Sequence, residues 1–206
     1  MQHISDISNA IATAIGQERE HHVYRERLAV LVPQLRLRLV LPEHDTVAAL
    51  LAFTIDYVES VPGALKLVTQ VSTKLGFYRY AAPFLHLAED FFLQPPEDLS
   101  AVVGLEALLD ESFLAHRLLE EVNDHHIRAL GQPLLPVDMT EANIIVHHLL
   151  GDDLASRLDG LVRFATSGLL DKENVWDRVG DISDVVHVVG FSDSQHAQIR
   201  LRATSR

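Results

Sequence analysis

The sequence predicts a mainly α protein: an up-down helical bundle with a small β element at its C-terminus. Three observations carry this expectation. Apolar residues recur at three- and four-residue intervals over roughly 4–32, 99–130 and 140–170, the period of helices that bury one face. Only a short proline-containing turn separates the last two stretches, so they are expected to pack as an antiparallel pair. The tail changes in kind, because DVVHVVGF is crowded with valine and AQIRLRA alternates, both strand patterns. We expect a bundle domain over 1–170 and a C-terminal appendage over 171–206 packed on the same domain.

Taken in order, Ser5 or Asp6 can cap the first helix, whose inner face carries Ile4, Ile7, Ile11 and Ile15. Pro33 is expected to interrupt it. The alternation of Leu35, Arg36, Leu37, Arg38 and Leu39 fits a strand, and it also fits a short helix with snorkelling arginines. His44-Asp45-Thr46 introduces a second helix, VAALLAFTIDYVESV, stopped by Val61-Pro62-Gly63, with a third segment over 64–75. Pro83 opens FLHLAEDFFL, and Gln94-Pro95-Pro96 ends it.

Asp98 or Ser100 can cap the long helix that Gly131 stops. GQPLLPVDM then turns into a helix capped by Asp138 or Thr140 and running to Ser167-Gly168. Two readings of the tail stand side by side. One is a hairpin, 185–191 against 197–203, joined by 35–41 as a third strand. The other is a final helix over 175–189 stopped by Gly190.

The 206 residues, 48% hydrophobic, suffice for one sizeable core. Formal net charge is −12, which argues against nucleic acid as a partner, since phosphates would be repelled. Cysteine is absent, which excludes thiolate metal sites, cysteine nucleophiles and disulfides and suits a cytoplasmic setting. No long uninterrupted apolar run or basic-then-apolar start is read, so neither a membrane partner nor a signal peptide is expected. No glycine-rich phosphate loop and no G-x-S-x-G occurs.

The chemistry-bearing residues are those that interrupt the apolar stripes. Glu18, His21 and His22 follow the isoleucines of the first helix. His116, Glu120 and Asn123 follow Leu105, Leu109 and Phe113, and Asn143 and His147 lie beside Ile145, Val146 and Leu150. A turn centred near Leu135 would bring Glu120, Asn123, His126, Asn143 and His147 together. His116 and Glu120 share a helix face at i, i+4, and imidazole with carboxylate suits iron, manganese or zinc.

The expected site is therefore a metal or small-ligand site between helices, with His116, Glu120 and His147 as ligands. Glu18 or His21 would complete the shell, and Asn123 would support it. As an enzyme, such a protein would be a metal oxidase or hydrolase activating oxygen or water. The competing structural reading makes QEREHH a solvated face and His116 a buried donor to Glu120. From a different class comes a non-catalytic dimerisation or protein-interaction module, in which arginine-bearing strands at 35–41 and 199–201 pair across a homodimer.

Overall fold

A computed structural model describes residues 2–94, 104–167, 188–191, 196 and 198–203. Among these residues the protein is mainly α, as predicted, with seven helices and four two-residue strands.

Helix α1 (Gln2–His21) buries Ile7, Ile11 and Ile15. It ends where His22 turns to a left-handed φ of 56°, and α2 (Val23–Arg38) departs from there. The single helix expected over 4–32 is thus two helices. Pro33 lies inside α2 and does not end it; α2 buries only Tyr24, Leu28 and Leu35, and Pro33 falls on its exposed side. Residues 35–38 take the helical option. The extended part of this segment is β1 (Leu39–Val40).

Helix α3 (Thr46–Lys74) runs straight through Pro62, where a stop was expected. Its buried residues Val58, Val61, Leu65 and Val68 keep one helical phase across the proline. Burial on both sides offsets the hydrogen bond that Pro62 cannot donate. This is the one helix among the described residues long and apolar enough to cross a membrane; here its inner face lies in the protein core. Helix α4 (Tyr78–Leu93) likewise begins before Pro83 and contains it.

Helix α5 (Leu105–Leu130) is the central element. It packs against α1, α3 and α4 and against the two helices that follow. Residues 108–116 are buried without a break, so this stretch has no solvent face on which to place its polar residues. Gly131 closes α5 with φ of 72° and donates its N–H to the Ile127 carbonyl at 2.8 Å, as the sequence predicted. The expected caps Asp98 and Ser100 lie outside the described residues.

The helix predicted over 140–170 is two helices, α6 (Thr140–Leu150) and α7 (Asp152–Ser167). Gly151 separates them with φ 86° and ψ 152°, a conformation open almost only to glycine. Both pack on α5 and on each other. The up-down order of the helices is the sequence-based expectation; the observed framework is one central helix, α5, packed against α1, α3, α4, α6 and α7, with α2 resting on α1, α3 and α6.

The tail corrects the expected hairpin. Strand β3 (Val189–Gly190) pairs in parallel with β2 (Val137–Asp138), and β4 (Arg200–Leu201) pairs antiparallel with β1. Each tail strand therefore finds an earlier segment and not its neighbour. Residues 185–187, 192–195 and 197 of the expected hairpin, and most of the alternative helix over 175–189, lie outside the described residues. The pairing of Leu39 with Leu201 does join the alternating arginine segment to the tail, within one chain.

Candidate functional site

A line of polar side chains crosses the core from α3 to α7. The Tyr57 hydroxyl donates to Asn143 Oδ1 at 2.7 Å, and Asn143 Nδ2 donates to Glu120 Oε2 at 2.8 Å. Arg117 Nη1 donates to the same Glu120 oxygen, and its Nε donates to Asp159 Oδ1 at 2.9 Å. The His147 imidazole ends the line, 3.3 Å from Asp152 and 4.0 Å from Asp159. Burial opposes the charge of Arg117. Its hydrogen bond to Asp159 and the negative charge of Glu120 outweigh that cost and raise its pKa above the ordinary arginine value. Burial pushes the Tyr57 hydroxyl well above its usual pKa, so it remains a neutral donor.

His116 lies beside this line and is 2% exposed. Its Nε2 is 2.9 Å from Ser60 Oγ and 3.2 Å from the Tyr57 carbonyl, while Ser60 Oγ donates to that same carbonyl at 2.7 Å. A carbonyl only accepts, so the ring hydrogen belongs on Nε2 and leaves Nδ1 with its lone pair. Burial lowers the His116 pKa to about 4, with the Tyr57 carbonyl opposing that shift. His116 is therefore neutral at physiological pH. Ser60 and His116 resemble a nucleophile and its base in distance alone, because the imidazole nitrogen facing Ser60 holds a hydrogen and the serine hydrogen is already engaged.

These residues border a cavity of about 640 Å³ between α3, α5, the 131–139 segment and residues Val188 and Phe191. Its walls are mainly apolar, with Leu67, Leu119 and Ile127 among them; Ser60, His116, Glu120, Asn123, Asp124, Asp138 and Thr140 are its polar lining residues. The 131–139 wall is fastened to α5 from within. Asn123 Oδ1 accepts the backbone N–H groups of Leu134 and Leu135 at 2.8 and 3.1 Å, and His126 Nδ1 meets the Gln132 carbonyl at 2.7 Å. A shallower hollow of about 380 Å³ adjoins it, sharing Ser60, Val137 and Phe191 and adding Asp56 and His196, which are bonded at 2.8 Å.

The structure brings some of the sequence-selected residues together and separates others. His116 and Glu120 line one cavity. His147 reaches Glu120 only through Asp159 and Arg117, so a guanidinium and a carboxylate stand between two of the three side chains expected to share a metal ion. Glu18 is elsewhere. Its carboxylate accepts the N–H groups of Tyr24 and Arg25 at 2.8 and 2.9 Å and so caps α2. His21 is exposed beside Glu20. Asn123 holds the loop. Among the described residues no three histidine or acidic side chains converge closely enough to hold a metal.

The hairpin register explains part of this. Of the residues that the turn near Leu135 was expected to gather, Glu120 meets Asn143, together with Thr140, and not His147, because α6 begins beside Glu120 and ends at Gly151. A separate buried acidic group was missed. Asp110 and Glu111 are 6% and 8% exposed, and Glu111 Oε2 has no hydrogen-bond partner among the described residues. Burial, then the Glu106 charge, raises Asp110 to about 7; burial, then Asp110, raises Glu111 to about 8. The available signal was their position between Leu109 and Phe113, but helical period alone cannot show that a helix is enclosed on all sides.

Neither models of known families, nor curated proteins, nor solved structures give a match to this chain.

Proposed function

We propose that the protein binds a small, largely apolar molecule in the cavity between α3, α5 and the 131–139 segment. The supporting observation is the cavity itself: about 640 Å³, a size that suits a small organic ligand, with apolar walls and a few convergent polar side chains. In this reading Leu67, Leu119, Ile127 and Phe191 remove the ligand's apolar surface from water, which favours binding. Glu120 and His116 orient it. Both are held before a ligand arrives, Glu120 by Arg117 and Asn143, His116 by Ser60 and Tyr57. Such preorganisation lowers the ordering cost of binding.

An amide NMR titration with phenylbutanol tests this. Saturable shifts are expected at Ser60, Gly63, Glu120 and Val188. They are expected to vanish in Ala64→Trp, whose indole fills the cavity. Absence of any saturable shift at millimolar phenylbutanol, or shifts that persist unchanged in a folded Ala64→Trp protein, would overturn the reading.

A further inference from the structure

We infer that this cavity selects an organic cation, a molecule with an apolar body and a protonated amine. The inference rests on the ligand-binding reading above and narrows it to a ligand class. The charged side chains lining the cavity are Glu120, Asp124 and Asp138, with neither lysine nor arginine among the described lining residues. The adjoining hollow adds Asp56 and Glu59. A ligand carboxylate or phosphate would meet like charges on several sides, and an ammonium would meet opposite ones.

The three cavity carboxylates are not equivalent. Glu120 is already matched by Arg117. Asp138 accepts the Thr140 N–H at 2.9 Å at the start of α6. Asp124 follows Glu120 by one helical turn on α5, is half-buried, and forms no hydrogen bond or ion pair among the described residues. It is the carboxylate left to hold a ligand charge.

His116 adds an independent acceptor that an ammonium N–H can meet. It is 2% exposed and lines the cavity, its Nε2 is engaged by Ser60 and the Tyr57 carbonyl, and its Nδ1 has no partner among the described residues. A neutral imidazole with Nε2 protonated offers a lone pair at Nδ1, which seeks a donor. Asn123 supplies one neutral amide donor, since its Oδ1 is held by the loop, but that does not offset the carboxylates. Phe191 adds an aromatic wall of the kind that attracts ammonium groups.

Phenylbutylamine, phenylbutanol and phenylbutyrate share one apolar body and differ in charge. Titration calorimetry on the full chain at low ionic strength is expected to rank amine above alcohol above carboxylate. Asp124→Asn removes charge at a side chain with no bonding role in the fold. It is expected to weaken amine binding at least about fivefold and to leave phenylbutanol unchanged. Added salt should weaken the amine alone. Equal binding of amine and alcohol, a preference for phenylbutyrate, or an Asp124→Asn protein that keeps the full amine preference would overturn the cation assignment while leaving the cavity a ligand site. No binding of any of the three would overturn the ligand-binding reading itself.

Discussion

The carboxylate of Glu18, near the end of one helix, accepts the backbone N–H of Tyr24, in the first turn of the next, at 2.8 Å. Its other oxygen takes the Arg25 N–H. The first N–H groups of a helix have no partner within it, and a carboxylate there also suits the positive end of the helix dipole. Glu18→Ala is expected to cost about 1–2 kcal/mol of stability, and Glu18→Gln less, since one acceptor oxygen survives. Urea unfolding of the two variants checks this ranking.

Arg117 joins Glu120 to Asp159, with side chains only 18–26% exposed. Replacing it with methionine keeps the packing stem and leaves two partly buried carboxylates unmatched. The expected loss is about 2–4 kcal/mol. Adding Glu120→Gln to the Arg117→Met protein should restore part of that loss, because the unmatched charge is then smaller. Simple additivity in the double-mutant cycle would show that the pair does not interact.

The buried acids of α5 set a pH dependence. In unfolded chains Asp110 and Glu111 titrate near pH ~4, whereas in the fold they titrate at about 7 and about 8. Their contribution is most favourable below the unfolded value. It is lost as pH rises through the folded values, because the unfolded chain gives up these protons first. His116 works in the opposite sense: its folded value of about 4 means that acidification from pH ~6.5 protonates the unfolded chain preferentially. Stability is therefore expected to fall from pH 6 to pH 8.5. Asp110→Asn should flatten that decline and add about 1–3 kcal/mol at the alkaline end. Denaturation midpoints across this range provide the measurement, and a wild-type protein more stable at pH 8.5 than at pH 6 would contradict the assignment.

Gly151 has φ 86° and ψ 152°, and a Cβ added there would meet nothing within 4 Å. The expected cost of Gly151→Ala, about 1–3 kcal/mol, is therefore one of backbone conformation and not of crowding. Thermal unfolding should show it; an unchanged midpoint would mean that the joint between α6 and α7 relaxes freely.

Much of the helical content was legible because burial on one face writes its period into the chain, as Ile7, Ile11 and Ile15 show. Boundaries were less so, for reasons that can be named. Pro62 marked a stop and Pro83 a start only in local terms, and the unbroken stripe from Val58 to Val68 outweighed the first of them. His22 and Gly151 broke helices where the apolar period ran on, because a single left-handed or extended residue leaves that period nearly intact. At the site, the i, i+4 relation of His116 and Glu120 was readable and both residues line the cavity. The role of Arg117 was not, since its partner Asp159 comes from a helix whose start depends on Gly151. Glu18 looked like a ligand because capping of a following helix and metal binding call for the same carboxylate.

The pairing of Leu39 with Leu201 and of Val137 with Val189 has a consequence for the order of assembly. Val188 and Phe191 on one side of the cavity, and the strand that pairs with β1, come from residues synthesised long after the helices they rest on. A chain emerging from the ribosome can gather α1 to α4 early, through contacts between near neighbours in sequence, but must hold an open cavity until Val188 and Phe191 arrive. Closing so long a loop is entropically slow. The final step of folding should thus be the docking of the tail, and a ligand already seated in the cavity would speed its completion only if the tail can close over it.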